Sequence, residues 1–398
     1  MGRRLLLLCA LALVAAVTAA GASARTFDEP LQAQEWWLAR IGTTGLAPPG
    51  PGVPISIIDS GTDPTHPEFA GRPNTTFEND QSTFGREEYH GTAVASVAAA
   101  PANGSGILGV YPTAALQVWD ASPDARGITD FTAIVDIEQA AAHCPAVINL
   151  SFGSTDPDPQ LQGAILKAVA SGCLVVAASG NAGESGSPTT FPASWPHVFT
   201  VGATDENDKV AAFSTIGAGL DVVAPGTDIT AAVPFSRNGT GYDNTFAGTS
   251  FSSPIVAAAA AWVWTMRPTL TAFQLAQVLR KSARDLGPPG YDTMSGYGLI
   301  DVAAALVLPT PEDDPNEPND DISEVKPGPL FANGQAPLTT VTKPSIRIAG
   351  ELDSSEDPRD LYRIWVPANK VVHVSVTGPG TAAARIWGPQ TVGVGEGL

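Results

Sequence analysis

The protein has 398 residues, of which 21 are Lys or Arg and 40 are Asp or Glu, so its formal net charge is −19. Binding to phosphates or anionic lipids needs a positive surface, and this charge therefore excludes nucleic acid and anionic membranes as expected partners. Three cysteines are too few for a fold built on disulfides, whereas the length suits one large domain with a smaller companion.

The first 24 residues have the pattern of a secretory signal peptide. Arg3 and Arg4 precede an uncharged apolar run over residues 5–17, and residues 22–24 form an A-x-A cleavage site. The apolar run is shorter than the roughly 20 residues that a membrane-spanning helix needs. We therefore expect removal of residues 1–24 and secretion of a chain without a membrane span.

The middle of the chain, from about residue 53 to residue 308, alternates short β-branched runs with Ala-rich stretches of helical length. This alternation predicts an α/β fold, with a mostly parallel sheet that carries helices on both faces. The predicted strands span residues 53–58, 146–150, 174–178 and 198–201. The predicted helices span residues 131–142, 161–171, 255–266 and 272–283.

The C-terminal part changes in composition. Residues 309–335 are rich in proline and acidic side chains, which predicts a linker after a domain of residues 25–308. Beyond the linker, polar and apolar residues alternate with period two over 346–348, 361–366 and 371–377, as is typical of strands. Residues 336–398 are therefore predicted to form a small β domain, either minimal or incomplete, because about 60 residues is near the lower limit for an independent core.

Four residues suggest nucleophilic catalysis. Asp59 ends an apolar strand, His90 opens an Ala-rich helix, and Ser250 stands just before an apolar helix. A serine hydroxyl is a poor nucleophile until a base takes its proton, and the base works best when a carboxylate fixes its tautomer. Asn181 lies between glycines at a strand end, where its amide could stabilise the oxyanion of an acyl transfer.

Other interpretations of these residues compete with the catalytic one. A single aspartate at a strand end, such as Asp59, is often only a turn residue. Ser252 and Ser253 compete with Ser250 for the role of nucleophile, but only Ser250 follows Gly-Thr at the helix entrance. The stretch around Ser250 also fails the G-x-S-x-G pattern, because Ser252 occupies the final glycine position, and this disfavours an esterase-type α/β-hydrolase.

Taken together, four blocks of sequence resemble the subtilisin-like serine proteases, the subtilases of peptidase family S8. The blocks are residues 57–61 with 66–69, 90–92, 179–181 and 248–254, in the order Asp, His, Ser of that family. The resemblance covers about residues 36–308. It implies a secreted serine endopeptidase in which Ser250 attacks a peptide carbonyl and His90 transfers the proton. Asp59 would orient His90, and Asn181 would stabilise the oxyanion.

The same resemblance implies how substrate binds. An extended protein or peptide substrate would lie between two strand edges, with the loop of residues 184–191 shaping the pocket between them. The edges are Ser151, Phe152 and Gly153 on one side and Ala178, Ser179 and Gly180 on the other. The family needs no cofactor for chemistry and commonly binds structural calcium. The acidic turn at residues 205–208 matches no calcium loop, so we assign no metal ligand and expect a monomer.

Two cysteines remain after the signal peptide. Cys144 and Cys173 each precede a predicted strand, and the two strands are expected to be neighbours. In a secreted protein this favours a disulfide between them, with two buried free thiols as the alternative.

Two departures from the family motivate a second hypothesis. Residues 25–35 leave no room for an inhibitory pro-domain before the family resemblance begins, and the C-terminal part resembles a bacterial pre-peptidase C-terminal domain that lacks its final strands. The alternative is therefore a secreted binding or adhesion protein on a subtilase scaffold. The four intact catalytic positions argue against it.

Overall fold

The computed structural model describes residues 27–81, 88–122, 127–314, 316–348, 350, 352, 359–377, 384–391 and 394. The predicted signal peptide lies outside these residues. Among the residues described, none of the helices combines the length and the apolar character that crossing a membrane requires.

A parallel sheet of seven strands forms the centre of the protein. Its strands are β1 (Ile55–Asp59), β2 (Thr75–Phe77), β3 (Leu116–Asp120), β4 (Val147–Leu150), β5 (Leu174–Ala178), β6 (Val198–Thr204) and β7 (Val222–Pro225). They lie in the order β2-β3-β1-β4-β5-β6-β7. The chain leaves β1 toward β3 and β2 and later returns to its other side with β4. Ligands bind outside the carboxyl ends of parallel strands at such a switch point, which here is the end of β1.

Helices cover both faces of the sheet, as the alternating pattern predicts. The helices are α1 (Trp36–Arg40), α2 (His90–Ala99), α3 (Asp130–Ala140), α4 (Pro159–Ala170), α5 (Phe235–Asn238), α6 (Thr249–Met266), α7 (Ala272–Ser282), α8 (Val302–Val307) and α9 (Ile322–Val325). An antiparallel pair, β8 (Ile229–Ala232) and β9 (Tyr242–Phe246), stands apart from the sheet. Helices α2 and α6 share one core with the sheet, and α3 and α4 share the other. The predicted fold class is confirmed.

Helix α6 begins earlier than predicted. The apolar run predicts a start at Ile255, whereas the helix starts at Thr249 and contains Pro254 in its interior. The prediction took the proline as a sign of the first turn, where its missing N–H does no harm. The six additional residues place Ser250 in the first turn of a buried helix instead of in the loop before it.

The acidic segment of residues 309–335 packs against the α/β domain at several points. Thr271 donates its hydroxyl to Asp313 at 2.6 Å, and His197 Nε2 lies 3.0 Å from Asp320 Oδ2 and 3.5 Å from Glu317 Oε2. Asn319 and Asp320 are buried. The composition of this segment predicts a linker and does not indicate these contacts, because the histidine that the carboxylates meet lies more than a hundred residues earlier in the chain.

The strands predicted after residue 336 are not found among the residues that the structure describes. The described residues of 336–394 contain no strand, and the apolar side chains of Trp365, Val371 and Val376 are 41%, 78% and 54% exposed. Period-two alternation gives a stable sheet only when partner strands pair and cover its apolar face. Between the described residues of this part, the pairing consists of isolated bonds such as the one from the Leu338 N–H to the Arg363 carbonyl at 2.8 Å. The small β domain stays a prediction.

A disulfide joins Cys144 to Cys173, whose Cα atoms are 5.1 Å apart. The two residues precede β4 and β5, which are adjacent in the sheet. The bridge spans a sequence separation of 29 residues, which includes β4 and helix α4. It therefore closes a loop that carries one of the two strand edges implied for substrate binding.

Replacing both cysteines with alanine should lower the free energy of unfolding by about 3 kcal/mol, since the cross-link restricts the unfolded chain. Urea denaturation of the wild type and the double variant measures the difference. Dithiothreitol serves as the control: it should bring the wild type to the stability of the double variant and leave the variant unchanged. Equal stability of the wild type and the double variant without dithiothreitol would contradict the expectation.

Candidate active site

The carboxylate of Asp59 and the imidazole of His90 meet at the end of β1. Asp59 is the last residue of β1, and His90 is the first residue of α2. Asp59 Oδ1 lies 2.8 Å from His90 Nδ1 and also accepts a 2.7 Å hydrogen bond from the N–H of Ser60. The Asp59 side chain is 1% exposed and that of His90 is 32% exposed. A buried acceptor at Nδ1 favours the tautomer in which Nε2 carries the lone pair of a base.

Glycine at position 91 allows this contact. A Cβ atom on Gly91 would lie 2.2 Å from the Gly61 carbonyl oxygen, so any other residue would push α2 away from the turn after β1. The Gly91 N–H donates to the hydroxyl of Ser60 at 3.2 Å. The sequence predicts a close chain approach at Gly91, and the structure identifies the partner as the turn that follows Asp59.

Opposing effects act on the pKa of His90. Burial disfavours the charged imidazolium, but the charge and the hydrogen bond of Asp59, together with the charge of Glu88, favour it. The net result raises the pKa of His90 above its ordinary value of 6.5. The imidazole is therefore a stronger base than a free histidine.

Ser250 lies half-buried in the first turn of α6. Its hydroxyl donates to the Ser151 carbonyl at 3.1 Å. Within the described part of the chain, no hydrogen bond joins Ser250 Oγ to His90, because the hydroxyl is engaged with the Ser151 carbonyl instead. Catalytic hydrogen bonds are often long or misaligned in free enzymes and shorten when substrate binds.

The two competing serines are engaged elsewhere. Ser252 and Ser253 are fully buried. Ser252 donates to backbone carbonyls at the end of β7, and Ser253 donates to Asn149 Oδ1 at 2.7 Å. Of the three serines, Ser250 alone combines partial exposure with a position at the end of the sheet where His90 lies.

The side chain of Asn181 is held in one orientation by Thr249. Its Oδ1 accepts the Thr249 N–H at 2.9 Å and the Thr249 hydroxyl at 3.0 Å. Because of these two bonds, Oδ1 of Asn181 faces the start of α6, and Nδ2 remains as a donor for a ligand. The N–H of Ser250 lies in the same first turn, where the helix dipole favours negative charge. The two donors can stabilise an oxyanion.

Asn149 is a residue that the sequence reasoning missed. Its Nδ2 donates to Ser151 Oγ at 3.0 Å, and the Ser151 hydroxyl in turn donates to the Ser250 carbonyl at 2.9 Å. That carbonyl needs a donor because Pro254, four residues later, has no N–H. A fully buried asparagine inside an apolar strand was the available signal, since such a side chain must find partners.

The two strand edges implied for substrate binding lie at the ends of the adjacent strands β4 and β5. Ser151, Ala178 and Ser179 are buried, whereas Phe152, Gly153 and Gly180 reach the surface to a larger extent. Ser179 uses its hydroxyl to bind the Thr215 carbonyl at 2.9 Å. The buried members of the edges therefore support the backbone, and the more exposed members are the ones that a peptide could contact.

Residues 190 and 191 connect the two edges. The Thr190 hydroxyl donates to the Ser179 carbonyl at 2.7 Å, and the backbones of Ser154 and Phe191 exchange hydrogen bonds of 2.8 and 2.7 Å. A Cβ on Gly153 would lie 2.9 Å from the Phe191 carbonyl. The end of the 184–191 loop thus lies between the edges, consistent with its expected role at the pocket.

Acidic groups that could hold a cation lie outside this site. Within the described residues, Asp314, Glu317 and Asp360 form a group of carboxylates whose oxygen atoms lie within 4.8 Å of one another. The acidic turn considered for calcium uses Asp205 Oδ1 to accept the N–H groups of Asn207 and Lys209. That carboxylate stabilises its own turn. Structural calcium stays a prediction.

Comparison with known proteins agrees with this geometry. The sequence model of the subtilase family matches residues 50–298, which include Asp59, His90, Asn181 and Ser250. The chain belongs to the subtilase family. Subtilases are serine proteases whose chemistry needs no cofactor.

Curated relatives of this subtilase include two subtilisins. It is 37% identical over 260 residues to subtilisin NAT of Bacillus subtilis subsp. natto, a match that covers 64% of this chain and 66% of the relative. It is 36% identical over 280 residues to subtilisin BL of Lederbergia lenta, covering 69% of this chain and 99% of the relative. The chain thus spans slightly less than two thirds of the length of the first relative.

Solved structures show the same fold. Fervidolysin from Fervidobacterium pennivorans, described as a keratinolytic enzyme related to subtilisin, superimposes on this subtilase with a TM-score of 0.65 at 28% identity. That match covers 73% of this chain and 48% of fervidolysin. The subtilisin-like protease Apa1 from the Antarctic bacterium Pseudoalteromonas sp. AS-11 has a TM-score of 0.57 at 21% identity and supports the fold alone.

Proposed function

We propose that this subtilase is a secreted serine endopeptidase that hydrolyses peptide bonds through an acyl-enzyme. The observation that carries the proposal is the 2.8 Å contact between His90 Nδ1 and the buried Asp59 carboxylate. Ser250 lies in the first turn of α6, and the ring of the next residue, Phe251, is 5.9 Å from the His90 ring. This arrangement provides a base, a group that orients it and a nucleophile. The predicted signal peptide and the family of the chain support secretion.

In the first half of the proposed reaction, Ser250 Oγ attacks the carbonyl carbon of the scissile peptide bond while His90 Nε2 takes the hydroxyl proton. The negative oxygen that forms accepts hydrogen bonds from Asn181 Nδ2 and the Ser250 N–H. The carbon–nitrogen bond then breaks as His90 returns the proton to the leaving amine, and the acyl group remains as an ester on Ser250.

In the second half, a water molecule attacks the ester carbonyl and gives a proton to His90 Nε2. The bond between the acyl carbon and Ser250 Oγ breaks, and His90 returns the proton to Ser250. The products are a carboxylic acid and the free enzyme. Asp59 stabilises the imidazolium in both halves without becoming protonated.

Substrate would bind as an extended segment between the 151–153 and 178–180 edges. Contacts with backbone groups give affinity for many sequences, because every peptide offers the same N–H and carbonyl groups. Proteins or peptides outside the cell are the expected substrates, and the enzyme is expected to act as a monomer.

A fluorophosphonate probe tests the proposal directly. The mature protein should be labelled on Ser250, located by mass spectrometry of the tryptic peptide, and a Ser250→Ala variant should lose the label. Ser194→Ala, a change at an exposed serine, is the matched control and should be labelled like the wild type. The proposal fails if the folded wild type is not labelled, or if Ser250→Ala is labelled equally. Missing casein cleavage in the same preparation would then favour the non-catalytic binding protein.

A further inference from the structure

Three aromatic rings lie in contact in a row that ends at the imidazole of His90. We call Tyr89, Phe246 and Phe251 the aromatic stack. The ring centroids of Tyr89 and Phe246 are 5.5 Å apart with an interplanar angle of 15°, and those of Phe246 and Phe251 are 4.9 Å apart at 26°. The Phe251 ring then lies 5.9 Å from the His90 ring at 52°. These distances and angles are typical of favourable ring contacts.

The aromatic stack joins the chain segments that carry the catalytic groups. Tyr89 precedes His90, Phe251 follows Ser250, and Phe246 ends β9, which leads into α6. Phe246 and Phe251 are 7% and 4% exposed. Each ring is therefore fixed by its own backbone and by its neighbours in the stack.

A cation covers the outer end of the stack. The guanidinium carbon of Arg237, in α5, lies 3.6 Å from the centroid of the Tyr89 ring. A guanidinium at this distance from an aromatic face is attracted by the negative charge of the ring face. Arg237 thus adds a contact that holds Tyr89 against Phe246.

His90 requires such support because its hydrogen bond to Asp59 fixes only one edge of the ring. A side chain that is 32% exposed and held at Nδ1 alone can still rotate about the axis through that bond. A small displacement of Nε2 from Ser250 costs rate, since proton transfer depends on a short and aligned contact. The Phe251 ring supplies a second point of contact.

From this arrangement we infer that the aromatic stack is a positioning device for His90, in which Phe251 contacts the imidazole and Phe246 and Tyr89 hold Phe251 in place. The inference rests on the proposed peptidase function. The stack residues are positioning residues, and the proton transfer itself stays with His90.

The Phe251 ring also has an electrostatic effect on His90, because an aromatic ring within about 6 Å of a cation stabilises that cation. Among the residues that the structure describes, the other charged groups that act on the imidazole are Asp59 of β1 and Glu88, whereas Arg237 lies beyond Tyr89.

Kinetics of a Phe251→Leu variant test the inference, because leucine keeps an apolar side chain and removes the ring. We expect kcat for a peptide substrate to fall about tenfold, with KM within about twofold of the wild type. The acidic limb of the kcat profile should also move to lower pH by about 0.5 unit, since loss of the ring disfavours the imidazolium. A general loss of packing would not shift the pH profile.

A pair of changes at Tyr89 tests transmission through the stack without touching the buried rings. Tyr89→Leu should lower kcat about threefold, and Tyr89→Phe, which keeps the ring, should retain the wild-type rate. In the Tyr89→Leu/Phe251→Leu double variant the loss should be smaller than the product of the single losses, because both changes act through one contact to His90. If Phe251→Leu does not fold, the comparison of Tyr89→Leu with Tyr89→Phe still tests whether the aromatic stack positions His90.

The outcomes separate this inference from the proposed function. If the wild type reacts with the fluorophosphonate probe and cleaves peptide, but Phe251→Leu or Tyr89→Leu keeps the full kcat and pH profile, the stack has no positioning role. A rise in KM at constant kcat would also overturn the inference and would make the rings part of the substrate surface. If the wild type does not react with the probe, the proposed function itself fails.

Discussion

An Asp59→Asn variant should lose about 10⁴-fold in kcat while KM changes little, as comparable substitutions in serine proteases do. The amide that replaces the carboxylate can donate to His90 Nδ1 and so favours the tautomer that has no lone pair on Nε2. It also removes the negative charge that stabilises the imidazolium in both halves of the reaction. Steady-state kinetics on a peptide ester or anilide measures the loss.

The pH dependence gives this prediction a second readout. His90 must be neutral to accept a proton, so activity should fall as the pH drops through its pKa, which Asp59 and Glu88 raise above 6.5 in spite of burial. Without the charge of Asp59 that pKa falls, and the residual activity of Asp59→Asn should persist to lower pH than wild-type activity does. The acidic limbs of the two kcat/KM profiles can be compared directly.

Asp63→Asn is the matched control for Asp59→Asn. Asp63 is also a buried carboxylate after β1, but its Oδ1 accepts the N–H and the hydroxyl of Thr65, and an asparagine oxygen can do the same. Its rate should stay close to that of the wild type. Near-normal kcat in Asp59→Asn, or an unchanged acidic limb, would refute the assigned role of Asp59.

Asn181→Ala should reduce kcat by about 10²–10³-fold with little change in KM, the size of effect known for loss of this kind of donor in a subtilisin. The donor contacts the oxygen only after it becomes negative, so the transition state loses more than the bound substrate. Asn181→Asp should lose at least as much, because it can still accept the Thr249 N–H yet places a carboxylate oxygen where Nδ2 was.

Asn244→Ala is the control for the two changes at Asn181. Asn244 is an exposed amide on β9, and the change deletes its contact with Gln34 without touching the catalytic groups. Thermal unfolding should be alike for the control and for Asn181→Ala. Full activity in Asn181→Asp would show that Nδ2 does not bind the oxyanion.

The sequence predicts the central features of this protein because they depend on local patterns. Apolar runs that end at Asp59 or precede Asn181 mark strands whose carboxyl ends share one edge of a parallel sheet. His90 and Ser250 open helices, and helix starts also lie at that edge. The order of the four blocks then suffices to predict which residues come together.

Features that depend on distant partners could not be predicted in this way. The hydroxyl of Ser250 binds the Ser151 carbonyl, about a hundred residues away in the chain, and nothing near Ser250 indicates it. The contact of Phe246 with Tyr89 also joins residues that lie far apart in the chain. The strands expected around Trp365 are not found among the described residues for a related reason, since alternation indicates a preference for a sheet but supplies no partner strand.

The contact between His197 and the acidic segment affects where a fragment of this subtilase should end. A boundary chosen from composition would fall at residue 308. In a fragment that ends there, His197 would lose its contacts with Glu317 and Asp320. The hydroxyl of Thr271 would lose its hydrogen bond to Asp313. A fragment that continues through α9 keeps these contacts. A shortened form of the protein should therefore extend to residue 325 or beyond.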